Sequence, residues 1–270
     1  MSAGAIILMY HSVAPDEAAP YIEPANRIDP RTFERQMAFL AAGQRVIALS
    51  ELVDEIGAGR TPPAGTVCIT FDDGYRDNLT VAAPILEKYR LPATLFLATG
   101  FVERGEAQWS DTLYWLSPRE YRRLHGQLLE AGHDERMRLL EGFPRAHKPP
   151  RLMLDWDEAR RLVRRYPRFE IGGHTRDHID LTRHPAEARA QIEGCAADVR
   201  RELGVEARHF SYPYGRWCAE TRGTVIGAAW RSAVATEPAR RIGRTSDRYA
   251  MPRVQAPRSL TRLAFKLAFS

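Results

Sequence analysis

Hydrophobic and polar positions alternate along this chain in two rhythms that take turns. Short apolar runs, AIILMY (5–10), RVIA (45–48), TVCITF (66–71), ATLFLAT (93–99), FEIGG (169–173), HFSYP (209–213) and SAVAT (232–236), have the length and β-branched character of strands without an exposed face. Between them, RTFERQMAFLAAG, SELVDEIGAG, NLTVAAPILEKYR, DWDEARRLVRRY and PAEARAQIEGCAADVRRELG carry apolar residues at three-to-four spacing, which predicts amphipathic helices. Asp155 and Ser50 stand where N-caps belong, and Gly43 and Gly204 where helices should stop. Repeated β-then-α units predict parallel strands with right-handed crossovers, in an open doubly wound sheet or a closed barrel. No GxGxxG or GxxxxGK[ST] follows an early strand, which disfavours the nucleotide-binding open sheets.

The stretch from about Phe101 to Pro150 breaks this rhythm. Its charge, aromatics and histidines (His125, His133, His147) predict inserted helices, with 101–154 as an insertion in a single domain of residues 1–270. An insertion after a strand's C-terminal end tends to cover the active site. The three histidines lack metal spacing and are expected at the surface.

Composition narrows the picture further. With 44% hydrophobic and 27% charged residues the chain reads as soluble and globular. The net charge of +5 comes largely from arginines spread along helices, as in RRLVRRYPR, without nucleic-acid motifs; nucleic acid is not an expected partner. The arginines read mainly as solvated helix faces, with a preference for anionic surroundings such as lipid head groups or a phosphate-bearing carrier as the other reading; peripheral contact with a lipid-linked substrate would follow from it. Cys68, Cys195 and Cys218 are odd in number and lack CxxC spacing, which suits a reducing compartment. MSAGAIILMYHS has no basic leader region, so it reads as a first strand and the expected location is cytoplasmic. No window reaches the ~18 apolar residues of a transmembrane helix.

Candidate chemistry gathers at strand ends. TFDDGY (70–75) closes a buried-type strand with two adjacent acids. Their mutual repulsion calls for a cation, a shared proton or water, and a plain solvated turn is the competing reading. HTRDH follows FEIGG and sets His174 and His178 four positions apart, a spacing that converges two imidazoles on a helical turn or a tight loop. If both strand ends lie on one side of a parallel sheet, these groups share a crevice. Two neutral imidazoles with the Asp73 carboxylate would then make a three-ligand catalytic zinc site, with Asp72 free to take a proton from the activated water.

TFDDGY with Asn78 following, HTRDH running into IDLT, and FSYPYG (210–215) together resemble the ordered motifs of the polysaccharide deacetylase family, the NodB-homology or carbohydrate esterase family 4. The resemblance implies an α/β fold, a distorted (β/α) barrel of about seven parallel strands. It implies removal of an acetyl group from an N-acetylated sugar by metal-activated water. Asp73, His174 and His178 match the metal ligands and Asp72 the base. The Tyr214 N–H matches the oxyanion donor, with Pro213 fixing its turn.

Two departures point to a subgroup resembling the bacterial poly-N-acetylglucosamine deacetylases, in which the motifs are circularly permuted. FSYPYG lacks a leading arginine, and no late Leu-His motif supplies an acid. ILMYHSV offers His11 as the general acid, on a first strand expected to lie beside the last and to be held protonated by a carboxylate. MPRV offers Arg253 to hold the base. Trp109, Trp115, Tyr212, Tyr214 and Trp217 are candidates to line a sugar groove. The expected reaction is N-deacetylation of an N-acetylhexosamine unit in an oligo- or polysaccharide or a lipid-linked precursor. Zn2+ is the first choice of metal, with Co2+, Ni2+ or Mn2+ as substitutes. The alternatives are an O-acetyl carbohydrate esterase and a catalytically silent carbohydrate-binding protein.

Overall fold

The computed structural model describes residues 3–142, 151–236 and 241–269. Its strands are β1 (Ala5–Tyr10), β2 (Ser12–Val13), β3 (Arg27–Ile28), β4 (Arg45–Val46), β5 (Thr66–Phe71), β6 (Ala93–Leu97), β7 (Phe169–Gly173), β8 (His209–Ser211), β9 (Ser232–Ala235) and β10 (Met251–Gln255). The helices are α1 (Pro30–Gly43), α2 (Leu49–Gly57), α3 (Ala83–Lys88), α4 (Thr99–Arg104), α5 (Trp109–Leu116), α6 (Pro118–Glu130), α7 (His133–Glu141), α8 (Trp156–Arg165), α9 (Pro185–Leu203), α10 (Ala219–Gly227) and α11 (Leu260–Phe269).

All strand pairs of the main sheet are parallel, in the order β1-β10-β9-β8-β7-β6-β5, and β5 returns to β1 over Ala5↔Thr66 to Tyr10↔Phe71. The result is a closed seven-stranded barrel ringed by helices. Closure between the first strand and the last is the permuted arrangement the sequence suggested: Ile7 lies opposite Arg253. RVIA contributes only the two-residue β4, paired to the start of β5 and outside the closed ring.

The two-residue period of the strands decides what faces the site. On β5, Val67, Ile69 and Phe71 pack outward with Phe33 and Met37 of α1, Leu86 of α3 and Leu162 of α8. Cys68 packs in the other layer with Ile7, Phe96, Val234 and Met251, against which α2 places Leu49, Leu52 and Val53. Continuing that alternation through Thr70 brings Asp72 to the barrel's mouth just beyond the end of β5. Hydroxyl and guanidinium follow the same row, since Arg253 Nη1 lies 3.2 Å from Thr70 Oγ1.

The predicted caps divide. Asp155 accepts from the Glu158 N–H and Glu158 from the Asp155 N–H, a complete capping box that is worth about 1 kcal/mol. Gly204 ends α9 in the left-handed region at φ 64°. Ser50, however, lies inside α2: Ala48 is the N-cap, and the Ser50 hydroxyl pairs with His209 Nε2 at 2.8 Å instead. Gly43 is the last residue of α1 and Gln44 its cap, so no left-handed turn is needed there. NLTVAAPILEKYR begins as a π-helical turn at Asn78–Ala82 before α3.

Helices α5, α6 and α7 pack on each other around Trp109, Leu113, Tyr121, Leu128 and Leu140, a small core separate from that of the barrel. His147 lies outside the described residues. Among the described residues, no helix is long and apolar enough to cross a membrane.

Candidate active site

Four residues near the barrel mouth hold the left-handed backbone conformation that non-glycine residues seldom adopt: Asp73 (φ 76°), Thr175 (φ 62°), His178 (φ 47°) and Tyr214 (φ 58°). Such strain concentrates where side-chain placement matters more than backbone comfort. HTRDH forms a tight loop after β7, with the Thr175 hydroxyl accepting from the His178 N–H at 3.0 Å. That loop turns both imidazoles toward the end of β5. His174 Nε2 is 3.5 Å and His178 Nε2 3.6 Å from Asp73 Oδ1.

These separations are too long for good hydrogen bonds. They suit a different purpose: ligands about 2.0–2.2 Å from a tetrahedral ion lie about 3.3–3.6 Å from one another. The donor atoms of Asp73, His174 and His178 all fall within 4.8 Å of each other. Asp73 Oδ1 is buried without a hydrogen-bond partner. Burial, and then the charges of Asp72 and Asp111, push the Asp73 carboxyl well above its ordinary pKa, so as a bare anion it is costly here. Both imidazoles are lowered, chiefly by burial, and therefore neutral. Each has its far nitrogen engaged: His174 Nδ1 with the Ser211 carbonyl at 2.7 Å and His178 Nδ1 with the Tyr214 hydroxyl at 3.1 Å. With Nδ1–H donating in each case, both Nε2 lone pairs point to the common centre. The donor set, its neutrality and the orphaned oxygen all fit a divalent cation.

Asp72 has another environment. Arg253 meets it with two hydrogen bonds, Nη1 to Oδ1 at 2.7 Å and Nη2 to Oδ2 at 2.6 Å, and Nη2 also reaches Ser211 Oγ at 2.8 Å. Burial is the largest influence and would raise the Asp72 carboxyl, but the charge and hydrogen bonds of Arg253, together with the neighbouring imidazoles His174 and His11, outweigh it and hold the group below the usual carboxylate range. The sequence anticipated Arg253 as a partner of Asp72; here their geometry is bidentate.

His11 lines the same cleft, half-buried, with its carbonyl held by Asn78 Nδ2 at 2.7 Å. The expectation that a carboxylate keeps it protonated is not met. Its Nδ1 is buried with no hydrogen-bond partner, and burial, aided by the Arg253 charge, lowers its pKa to about 4 against the opposing pull of Asp72.

The cleft has a volume of about 270 Å3, and its walls correct the aromatic assignments. Trp109 is only 2% exposed: His125 stacks on it at 5.3 Å, the Arg136 guanidinium lies 5.0 Å from its ring centre, and its Nε1 donates to the Tyr214 hydroxyl. A ring so enclosed offers no face to a sugar. Tyr212 is fully buried, its hydroxyl donating to the Tyr249 carbonyl, and Pro213 is buried in the turn. Trp217 borders a different cavity with Arg241, Asp247 and Pro252. Tyr214 does line the cleft, beside Gly215 and Thr236.

Polar residues take the place of the expected aromatics. Glu23, Asn26, Gln108, Ser110, Tyr121 and His125 complete the wall, the last four from the helical segment after α4. His125 is therefore not a surface histidine. Nothing in the periodicity of α6 marked it, because an amphipathic helix can turn its less polar side to a neighbouring core and still present one residue to a cleft.

Comparison with known proteins agrees with this fold. The polysaccharide deacetylase family model matches residues 59–228. A protein named as a polysaccharide deacetylase, YxkH of Bacillus subtilis (strain 168), is 23% identical over 261 residues, covering 96% of this chain and 74% of its own length. Among solved structures, the Streptococcus pyogenes deacetylase PplD in complex with acetate superposes with a TM-score of 0.72 at 19% identity, covering 99% of both chains. IcaB from Ammonifex degensii gives 0.70 at 22% identity over 99% of this chain and 98% of that one. A de-N-acetylase from Aggregatibacter actinomycetemcomitans gives 0.63 at 18% identity over 97% and 99%. At these identities the superpositions speak for the fold.

Proposed function

Since the chain belongs to the polysaccharide deacetylase family, we propose that it removes the N-acetyl group from an N-acetylhexosamine unit of an oligo- or polysaccharide or a lipid-linked glycan precursor. The observation that carries this reading is the convergence of Asp73, His174 and His178 beside an Asp72 clamped by Arg253. Asp73, His174 and His178 would hold a divalent cation, zinc by the donor set, with cobalt, nickel or manganese able to substitute. Such an ion supplies Lewis acidity, polarising the amide carbonyl and acidifying water at the site.

The chain's own residues account for the proton traffic. Asp72 is ionised at any working pH, so it is always ready to accept the proton of the attacking water. Its low basicity means that only acidified water will yield to it, and the Arg253 clamp therefore ties activity to the cation. The Tyr214 N–H is the proposed donor to the oxygen that gains charge as the amide carbon turns tetrahedral. His11 is neutral in the resting cleft. The proton it gives the departing nitrogen must then be the one Asp72 has taken from water, so one water supplies the hydroxyl to acetate and the hydrogen to the amine.

The name of one fold relative, a de-N-acetylase, accords with the amide reading. One observation favours the O-acetyl esterase as the second reading: an alkoxide leaves with less help than an amine, and His11 is poorly charged. A glycan presented to a half-open cleft with a polar wall is the proposed partner, with peripheral contact to a lipid-linked substrate as an extension of it. The cytoplasm is the proposed location, on the cysteine chemistry. Acetate release from a panel of N-acetylated oligosaccharides, with and without chelator, tests the proposal. Chelator-sensitive release that disappears in Asp73→Ala is expected; release that survives both sinks it.

A further inference from the structure

Arg136 places a guanidinium in the protein interior. It lies on α7, within the helical segment that interrupts the barrel, and its side chain is fully buried. Its guanidinium donates to three main-chain carbonyls: Nε to Leu128 at 2.6 Å, Nη2 to Leu129 at 3.2 Å and Nη1 to His178 at 3.1 Å. The first two are among the last carbonyls of α6, where a cation is favoured by the helix dipole. The third belongs to a barrel loop and is the carbonyl of a candidate metal ligand held at φ 47°.

A second thread runs alongside. The Trp109 indole of α5, over which Arg136 sits, donates from Nε1 to the Tyr214 hydroxyl at 3.1 Å. That hydroxyl donates in turn to the His178 carbonyl at 3.1 Å and accepts from His178 Nδ1 at 3.1 Å. His178 is thus held at its carbonyl by Arg136 and Tyr214 and at its ring by Tyr214, and α5–α7 contribute the Arg136 bond directly and the Trp109 bond that braces the Tyr214 hydroxyl. His174, by contrast, is fixed by the Ser211 carbonyl of β8 within the barrel.

We infer that the α5–α7 segment is the positioning device for His178: Arg136 sets its strained backbone, and Trp109, through the Tyr214 hydroxyl, sets its ring. Asp73 and His174 directly follow the ends of β5 and β7, whereas His178 is braced by the inserted helices in addition to its own loop. Arg136 and Trp109 touch no reacting atom and act only through His178. This inference rests on reading Asp73, His174 and His178 as a metal site, and its test separates the two.

The parent and Arg136→Met, Arg136→Lys and Trp109→Phe would be titrated with Co2+ and Zn2+ against a chromophoric chelator, with the visible Co2+ spectrum and thermal midpoint recorded for each. Methionine keeps the apolar stem of Arg136, and phenylalanine keeps one aromatic ring at Trp109 while removing its donor. Outer-shell partners of metal ligands typically affect affinity by about 10–100-fold. The expected result is a loss of that order in Arg136→Met and a smaller loss with an altered Co2+ spectrum in Trp109→Phe, both beyond what their midpoints explain. Arg136→Lys should recover part of the affinity, since an ammonium can still reach one carbonyl. Unchanged affinity and spectrum in Trp109→Phe together with Arg136→Met, or with Arg136→Lys if methionine prevents folding, overturn the inference. A parent that binds neither ion at one equivalent, or an Asp73→Ala that binds as well as the parent, overturns the metal site itself.

Discussion

Arg253 and Asp72 stand 181 positions apart in the chain and meet through two hydrogen bonds of 2.7 and 2.6 Å, both side chains almost wholly buried. Parallel closure of the barrel makes this possible. β1 separates β5 from β10 by a single strand, so the residue beyond the end of β5 and a residue of β10 look into the same mouth.

Removing one partner of such a pair strands the other. Arg253→Met should cost about 3–5 kcal/mol at neutral pH. The sign of the pH dependence is a sharper check. With Arg253 present, the folded Asp72 carboxyl titrates below its unfolded value of about 3.9. Its contribution is then complete above that value and is lost as pH falls through the folded pKa. Without the guanidinium, burial raises the folded pKa above the unfolded one, so that contribution is present at low pH and is lost as pH rises. Denaturant unfolding of both proteins from pH 4 to 8 should therefore show a gap that widens with pH. A constant gap would mean that Arg253 does not set the charge of Asp72.

The convergence of Asp73, His174 and His178 bears on stability as well as activity. Zinc at about 100 times its dissociation constant should stabilise the parent by about 2.7 kcal/mol, and chelator should reverse this. Asp73→Ala should lose the zinc increment. In chelator, however, it should lose no more than the ~1–2 kcal/mol of an alanine at φ 76°, because the Asp73 carboxylate is buried beside Asp72 and Asp111 and its Oδ1 lacks a partner. A large loss of stability for Asp73→Ala in chelator would make Asp73 a structural residue.

Much of this site was legible in the sequence. Strands of the buried parallel type announce themselves as unbroken apolar runs, and β1, β5 and β7 begin and end where AIILMY, TVCITF and FEIGG do. Residues that immediately follow such runs, Asp72, Asp73 and His174, inherit their position from the strand. Which aromatic residues reach the cleft was not legible. Whether a tryptophan in a helical insertion turns outward to a cleft or inward to a small core depends on how three short helices pack, and periodicity carries no such information. Trp109 turns inward, while Tyr121 and His125 reach the cleft. The environment of His11 was equally hidden, since the groups around it come from distant parts of the chain.

Gly215 offers a backbone test of the Tyr214 turn. Its φ is +67°, and an added Cβ would lie 2.3 Å from both the Cβ and the backbone nitrogen of Thr236. Gly215→Ala should lose at least the ~1–2 kcal/mol of a left-handed L-residue and shift the neighbouring Tyr214. The matched control is Gly223→Ala on the exposed face of α10, where an added Cβ meets nothing within 4 Å. That change should stabilise by about 0.5–1 kcal/mol. Thermal midpoints that move in the same direction for both variants would contradict this view of the turn.

His11 decides between the amide and ester readings. In amide cleavage the nitrogen cannot leave as an anion, so a proton must reach it as the bond breaks, and among the cleft residues His11 is the candidate placed to relay one. An ester oxygen is a far better leaving group and needs that relay less. Losing a positioned acid typically costs about 10²–10⁴-fold. His11→Ala should therefore lower kcat on an N-acetylated sugar by that order, while kcat on an O-acetylated sugar or a simple acetyl ester falls clearly less. Metal affinity should be unchanged, because His11 is not one of the three converging ligands. Equal losses on both substrates would remove His11 from proton delivery and leave it a role in shaping the cleft. In that case Asp72, the remaining group able to carry the proton of water, would have to hand it to the nitrogen itself. Its bidentate grip by Arg253 makes it a strong acid once protonated, and the pH dependence of amide cleavage would then follow Asp72 alone.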